Sequence, residues 1–594
     1  MSAGKGVAAE SRRAPTTPRP RSRPSSLQRR EVRREARLVI ACLAAVVVLL
    51  VGAAAWALRD GWTPVSDAAL LQLRLDRMLV DPPQVGVYSR FGWFHPGPAY
   101  LWFMWLPYEL LGAAGLVLAI VVLHVGALVL GWLCARKLSV TAGGFAVLAA
   151  LVVIWARPAD QALLPWNPYV SMVGGVTLVL AAWSAAERRR LGAALLLPLG
   201  TFLVQAHVGT APLVLLVVLT ALVLMLLPRS EPQRKPWLWW CFGAASAALM
   251  WIPPMIDQLA GSHNLSAILQ AVFGDGNGDP IGWGSALGAL SQAYSRHPYW
   301  LSFAGDVPTG LTIPWLLVLP AVALAVALLA RRRSGGLHLR LLAVLAAANF
   351  AIPVAISGVR GPVYDYLVAW IPAVAVLTCA LSVWVLLDCI PGLASAPAPA
   401  TIGALRLSAA LGVAAVPIAG AIAWGWLQAP LPFAHEGAAA QHLADALGVD
   451  STGQRVALVR PSGASATDQL VGVEQGVLAQ ATAAGVDVVP DALTAGWIGA
   501  APAADLSSRI RYTVVPWTPY YDPPEGQDLA DIYDPFSPEQ WQRIEDLNRQ
   551  LAAAGGDQKQ KYLLALELNK VTGGEQAYGL IRLDPMRPPE GAAN

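Results

Sequence analysis

Long apolar stretches of 16 to 24 residues recur through the first 430 positions of the chain. A helix needs roughly 20 predominantly apolar residues to cross a bilayer. We place eleven such stretches, at 38 to 58, 113 to 134, 141 to 156, 169 to 186, 191 to 206, 210 to 227, 236 to 253, 312 to 330, 340 to 357, 364 to 387 and 406 to 428. This part of the chain is therefore predicted to be an all-α polytopic membrane protein.

Charge is scarce and unevenly distributed. Charged residues make up 13% of the chain and hydrophobic residues 56%, whereas soluble domains carry about 25% charged residues. The net charge is +8 over residues 1 to 37, +6 over 38 to 429 and −10 over 430 to 594. We read these segments as a disordered basic cytoplasmic tail, a membrane domain and an acidic C-terminal domain. A nucleic-acid binder, a fibrous protein and a disordered scaffold are excluded as descriptions of the whole chain.

The basic residues of the middle segment predict its orientation. With the N-terminal tail in the cytoplasm, the inner loops hold 13 of the 20 basic residues but only 3 of the 14 acidic ones. Cytoplasmic loops are enriched in Lys and Arg, so this orientation is the expected one. The apolar segment 97 to 111 is read as a re-entrant or interfacial helix, because a twelfth span would invert every later loop. We therefore predict a multi-pass protein of the plasma (inner) membrane whose C-terminal domain is extracytoplasmic.

The polar parts on the predicted outer side are two large loops, 59 to 112 and 254 to 311, and the C-terminal domain. In that domain, short strands are predicted at 456 to 459, 486 to 489 and 512 to 515, and helices at 435 to 447, 468 to 484 and 538 to 554. Such alternation predicts a small α/β domain with a partly parallel sheet. Its role is open between binding a sugar or glycan acceptor and serving as a stabilising cap.

The first outer loop carries the residues best suited to chemistry. Asp67 stands at the start of a predicted amphipathic helix on the membrane surface, and Arg74 and Arg77 follow one or more turns later. Guanidinium groups hold a lipid phosphate bidentately, and a carboxylate accepts a proton from an attacking hydroxyl. The alternatives are an N-cap role for Asp67 and surface ion pairs for the arginines, with Asp76 or Asp81 as partners.

An acidic residue just after the first span, a surface helix and a downstream His95-Pro96 element together resemble the GT-C superfamily of polyprenyl-phosphate-dependent membrane glycosyltransferases. The likeness is greatest to the protein O-mannosyltransferase and lipid A aminoarabinose transferase branch and to related actinobacterial enzymes. It covers roughly residues 38 to 430, with its specific motifs confined to the first outer loop. Many members have two adjacent acids where this chain has Ser66-Asp67-Ala68.

This resemblance implies an inverting glycosyltransferase that moves a hexose or pentose from a polyprenyl-phosphate donor to an envelope acceptor hydroxyl on the outer face. Asp67 is then the catalytic general base, while Arg74, Arg77 or Arg90 stabilises the departing phosphate. The partners are the lipid-linked sugar, a glycan, lipid or protein acceptor and membrane lipids, with no nucleic acid. No cofactor or metal is predicted, although a divalent metal is not excluded.

Other polar residues are expected to converge on the same outer face. We predict substrate-binding roles for the side chains of these residues: His95, Asn167, Gln205, His207 and Asp257. Ionisable groups at membrane depth tend to face a cavity, but each of these has an alternative in a structural hydrogen bond or ion pair.

Two further functions stay open from the sequence. A transporter or flippase of lipid-linked glycans would show internal repeats or paired broken helices in its two halves. The sequence contains no convincing repeat. A non-catalytic envelope scaffold would tolerate substitution of Asp67.

Overall fold

The structure is a computed structural model of the chain. It describes residues 26–228, 235–274, 279–301, 305–334, 336–389, 400–451, 454–460, 472–503, 506, 509–524, 526–555 and 557–583. Most of the predicted N-terminal tail and the start of the helix predicted at 468 to 484 lie outside these residues.

Among the described residues, seventeen α-helices precede the C-terminal domain. They are α1 (Ser26–Ala57), α2 (Ser66–Asp76), α3 (Ala99–Leu111), α4 (Ala113–Arg136), α5 (Val140–Trp155), α6 (Ala159–Leu163), α7 (Ser171–Ala186), α8 (Arg190–Ala206), α9 (Ala211–Leu226), α10 (Trp237–Met250), α11 (Ile252–Ala260), α12 (Asn264–Phe273), α13 (Gly282–Ala293), α14 (Val318–Ser334), α15 (Leu337–Ser357), α16 (Ile371–Cys389) and α17 (Ala400–Gln428). Short 3-10 turns occupy Asn167–Val170, Val208–Thr210, Tyr299–Leu301, Trp315–Leu317 and Asp365–Val368, and a small hairpin pairs β1 (Tyr88–Ser89) with β2 (Trp93–Phe94).

Each of the eleven predicted spans coincides with apolar helix. Within the described residues, seven helical segments are long and apolar enough to cross a membrane, and α10 with α11 makes an eighth if this bent pair is one span. The remaining three predicted spans correspond to α5, α8 and α14, which are shorter apolar helices. The all-α polytopic fold is confirmed, and the count of eleven spans stays a prediction.

The core of the membrane domain surrounds α7. Every side chain from Ser171 to Ala186 is buried, and α4, α8, α9 and α16 pack around this helix. Its sequence explains this position, because it is apolar or small on all sides and carries no charge. The α10–α11 pair bends by 40° where Pro253 and Pro254 enter the first turn of α11, since proline cannot continue the preceding helical hydrogen bonds.

The C-terminal region is a small α/β domain, as predicted. Its elements are α18 (Ala434–Ser451), β3 (Val456–Leu458), α19 (Val473–Ala483), β4 (Val488–Pro490), α20 (Ala492–Trp497), β5 (Ile510–Pro516), β6 (Asp528–Tyr533), α21 (Pro538–Ala553), α22 (Gln558–Thr572) and β7 (Tyr578–Arg582). The strand order is β4-β3-β5-β7-β6, with β3 parallel to β4 and β5 and with β7 antiparallel to β5 and β6. The sheet is therefore partly parallel.

Helix α2 joins the two domains, because opposite sides of this short helix pack against each of them. One stripe enters the core of the C-terminal domain and consists of Val65, Ala69 and Leu73. A second stripe enters the core of the membrane domain and consists of Leu71, Leu75 and Met78. The backbone of Ser66 also donates a hydrogen bond to the carbonyl of Gly472, at 3.0 Å, just before α19. Both domains consequently fix the position of α2.

Candidate functional site

A cleft opens beside α2. It encloses about 420 Å³, part of it open to solvent. Its lining comes from α2, the β1 region, α3, the segment before the Asn167–Val170 turn, and α20, and consists of Asp67, Leu70, Leu71, Arg74, Val87, Tyr88, Tyr100, Pro165, Trp166, Asn167 and Trp497. Both domains therefore contribute to its walls.

Asp67 lies in the first turn of α2 and faces this cleft. Asp67 is exposed to solvent and lines the cleft. Desolvation raises the pKa of Asp67, while a hydrogen bond from the side chain of Trp166 acts in the opposite direction. The N-cap of α2 is Val65, whose side chain makes no capping hydrogen bond, and Asp67 lies two residues later, inside the helix, so the structure does not favour the alternative in which Asp67 is the N-cap residue.

The residue before Asp67 has an unusual backbone conformation. Ser66 has a φ of 52°, in the left-handed region that costs a non-glycine residue of order 1 kcal/mol or more. Hydrogen bonding to Gly472 of the C-terminal domain accompanies this conformation. The turn that presents Asp67 is thus tied to the outer domain.

Arg74 is a buried cation with an unused donor. Its Nη2 donates to the Val85 carbonyl at 3.4 Å, and its guanidinium lies 5.2 Å from the Phe94 ring centroid. Among the described residues, Nη1 has no hydrogen-bond partner. Burial lowers the pKa of the guanidinium to about 10, which leaves it charged at neutral pH. A buried cation with an unused donor beside a cleft suits an anionic ligand.

The C-terminal domain leaves room for this guanidinium. Gly499 adopts a φ of 66°, and a Cβ added there would lie 2.5 Å from Nη1 of Arg74. A side chain at position 499 would therefore displace Arg74.

Arg90 lies near the cleft without lining it. Its exposed guanidinium stacks on the rings of Tyr364 and Tyr366, at 4.4 and 5.5 Å from their centroids. The Tyr366 ring is in turn 4.8 Å from that of Trp166, the hydrogen-bond donor to Asp67. An aromatic wall thus connects an exposed cation to the carboxylate.

Arg77 points elsewhere. It is about half exposed and pairs with Asp81 at 3.4 Å, which is the surface ion pair that the sequence left open. It does not line the cleft, and the structure brings only Arg74 of the two arginines to Asp67.

His95 and His207 form a buried pair outside the cleft lining. Their ring centroids are 4.8 Å apart, and the Val208 backbone donates to His95 Nδ1 at 3.3 Å. Burial, with a smaller contribution from His207, holds the pKa of His95 well below its ordinary value. His95 is therefore neutral, and this pair joins the hairpin to the break between α8 and α9.

Three other predicted site residues hold the scaffold together. Gln205 accepts from the Ala99 backbone at 3.2 Å and donates to the Met250 carbonyl at 2.8 Å. Asn167 lines the cleft while its Nδ2 donates to the Ala206 carbonyl at 2.6 Å. Asp257 lies in α11, away from the cleft lining.

Asp257 accepts three hydrogen bonds that order the start of α12. They come from the backbone and hydroxyl of Ser262, each at 2.8 Å, and from the Asn264 backbone at 2.9 Å. The Asn264 side chain then donates to and accepts from the Phe94 backbone, at 2.8 Å each. Asp257 thus positions the hairpin that flanks Arg74.

Sequence reasoning missed the aromatic half of the site. No site role was predicted for Tyr88, Trp166 or Trp497. Trp166 had a usable signal, because it directly precedes Asn167 in the outer loop between the predicted spans 141 to 156 and 169 to 186, whereas Trp497 is 430 residues from Asp67 and no local pattern connects them. Within the described parts of the chain, no group of three or more His, Cys, Asp and Glu residues has the arrangement of a metal site.

Fold and cleft together define a multi-span membrane protein with a charged, aromatic-lined cleft where its helical bundle meets a small α/β domain. No protein-family model matches the chain, and no curated protein does.

Among solved structures, the chain is similar to ArnT from Cupriavidus metallidurans in the apo state, with 14% identity, a TM-score of 0.43 and coverage of 80% of this chain and 92% of that one. The same enzyme bound to undecaprenyl phosphate matches with 15% identity, a TM-score of 0.42 and coverage of 80% and 93%. The arabinofuranosyltransferase AftD from mycobacteria matches with 16% identity and a TM-score of 0.28, over 72% of this chain and 29% of that one.

Proposed function

We propose that this protein is a membrane glycosyltransferase that moves a sugar from a polyprenyl-phosphate donor to an acceptor hydroxyl at the extracytoplasmic face. One observation carries the proposal: Asp67 and the buried guanidinium of Arg74, whose Nη1 has no hydrogen-bond partner among the described residues, lie in the same cleft, on the same side of α2. The resemblance of the first outer loop to the GT-C enzymes supports the same conclusion.

The spacing of the two groups suits a sugar phosphate. Seven residues span about 10 Å along a helix axis and almost complete two turns. Helical side chains lean toward the N-terminus, so the long Arg74 side chain extends back toward Asp67. In the proposed complex, the glycosyl ring lies between a phosphate held by Arg74 and a hydroxyl next to Asp67.

In the proposed reaction, the acceptor oxygen attacks the anomeric carbon as its proton passes to the Asp67 carboxylate. The bond from the anomeric carbon to the phosphate oxygen breaks, and its electron pair stays on the phosphate. Arg74 stabilises that charge, with Arg90 available near the cleft to attract an anionic headgroup. A single direct displacement inverts the anomeric configuration. The raised pKa of Asp67 makes it a better base than a carboxylate with the ordinary aspartate pKa.

The test uses membranes that contain wild-type protein, Asp67→Asn or Asp76→Asn, supplied with a panel of radiolabelled polyprenyl-phosphate sugars and envelope acceptors. Asp76 is a matched control, because it lies on α2 and bonds to Tyr108 outside the cleft. We expect transfer by wild type and Asp76→Asn, and a loss of at least a hundredfold in Asp67→Asn. Equal transfer by all three contradicts the role of Asp67. Movement of labelled lipid across the bilayer without transfer indicates a transporter, and neither activity indicates a scaffold.

A further inference from the structure

The C-terminal domain places one large aromatic ring in the cleft. Trp497, the last residue of α20, lines the cleft together with residues of α2 and the β1 region. Its ring centroid is 5.8 Å from that of Tyr88, with an angle of 33° between the planes. Tyr88 belongs to the membrane domain, so the two rings form a joint wall between the domains.

Trp497 is held in place by a chain of polar contacts. Asp491 caps α20 by accepting from the Thr494 backbone at 2.8 Å, and it also accepts from Nε of Arg460 at 2.7 Å. The Arg460 guanidinium lies 5.4 Å from the centroid of the Trp497 ring. Asp491 and Arg460 have side chains that are each only 17% exposed, so this ion pair is sheltered from screening.

The chemistry of this wall matches a carbohydrate ring. The C–H faces of a sugar are apolar and pack on aromatic rings, whereas its hydroxyls need hydrogen-bonding groups. Tyr88 and Trp497 supply the rings, and Asp67 and Asn167 supply polar groups in the same cleft. A mainly apolar pocket with a few fixed polar groups is the usual construction of a small-molecule site, and the lining of this cleft follows it.

We propose that Trp497 and Tyr88 form a carbohydrate-binding subsite, for which Arg460 and Asp491 are positioning residues. The C-terminal domain then completes the substrate site with a side chain of its own, beyond its packing against α2. This inference rests on the proposed function, because it names the part of the cleft that holds a sugar ring of the donor or the acceptor.

The experiment measures KM and kcat for donor and acceptor separately in membranes that contain full-length Trp497→Ala. We expect KM for one of the two substrates to rise about tenfold, which corresponds to about 1.4 kcal/mol, and kcat to stay within about twofold. A change in the donor KM assigns the subsite to the transferred sugar, and a change in the acceptor KM assigns it to the acceptor glycan.

Three further variants separate recognition from folding. Trp497→Phe keeps a ring and should keep KM within about threefold, whereas Trp497→Leu fills space without a ring and should behave like Trp497→Ala. Trp541→Ala removes a similarly half-buried tryptophan of the same domain, whose ring contacts Trp517 and Phe536 and not the cleft, and should leave both KM values unchanged.

The two proposals fail in different ways. If wild type transfers sugar and Trp497→Ala and Trp497→Leu leave both KM values unchanged, the subsite is wrong and the glycosyltransferase stands. If wild type transfers no sugar from any donor, the proposed function is contradicted and the subsite with it.

Discussion

At the residue scale, the Trp166 indole sets the working range of Asp67. A hydrogen bond to a carboxylate stabilises its charged form, and Trp166 accordingly lowers a pKa that desolvation raises. A general base must be deprotonated, so activity should increase as pH rises through the pKa of Asp67. That pKa lies above the ordinary value of about 3.9 for aspartate.

Trp166→Phe should therefore move the acidic limb of the pH profile of kcat/KM to higher pH, because it removes the group that favours the carboxylate. The matched control is Trp62→Phe, which removes an indole hydrogen bond to the Pro432 carbonyl outside the cleft. The control should leave the limb in place. A limb that does not move in Trp166→Phe, or moves to lower pH, contradicts this account of Asp67.

The residue scale also shows how far the sequence could define the site. Asp67 and Arg74 are seven residues apart, which is close to two helical turns and puts them on one face, whereas helical spacing places Arg77 about 80° round the axis from Asp67. Helical spacing alone thus separates the two arginines. Gln205 and Asp257 were predicted to bind substrate. In the structure their side chains hydrogen-bond to chain segments that are distant in sequence or irregular. No pattern in the sequence reveals such partners.

At the scale of elements, α2 depends on close packing against α19. A Cβ added to Gly476 would lie 2.7 Å from the Ala440 Cβ and 2.8 Å from a methyl carbon of Val65. Real Cβ atoms do not approach so closely, so a side chain at this position separates α19 from the start of α2.

Gly476→Val should lower sugar transfer at least tenfold and destabilise the protein by about 1 to 3 kcal/mol, because it overpacks the contact that positions Asp67. Gly420→Val in α17 is the control, since nothing lies within 4 Å of a Cβ at that position. Thermal unfolding of the detergent-solubilised protein and the transfer assay measure the two effects. Wild-type transfer by Gly476→Val would show that packing against α19 does not position Asp67.

The elements that the sequence predicted are those with a local hydrophobic pattern. Apolar helices and the parallel strands β3, β4 and β5 have continuous hydrophobic signals, and the structure contains them. Strand β6 reads Asp528–Tyr533 with two aspartates and is mostly half-buried, so it lacks the signal of a buried strand. Its register is set by antiparallel pairing with β7, about fifty residues later in the chain. Pairing across that distance is invisible to local patterns.

At the scale of the whole molecule, the orientation in the membrane follows from the charge distribution and stays a prediction. A cysteine-free variant, with the five native cysteines replaced by serine, allows a direct measurement by single-cysteine labelling. Lys559→Cys in α22 and Lys137→Cys after α4 both replace exposed lysines.

A membrane-impermeant maleimide should label Lys559→Cys in intact cells and Lys137→Cys only after lysis, because the positive-inside rule places the basic loops in the cytoplasm. The opposite labelling would invert the topology and put the cleft on the cytoplasmic side.

The central claim is that α2 presents two groups with different tasks in one cleft. The most direct measurement is the effect of Asp67→Asn and Arg74→Gln on donor affinity and kcat, with the same polyprenyl-phosphate sugar. The account predicts that Asp67→Asn lowers kcat by about 10² to 10⁴ and leaves donor affinity within about twofold, while Arg74→Gln weakens donor binding at least tenfold. Wild-type kcat in Asp67→Asn, or wild-type donor affinity in Arg74→Gln, would contradict it.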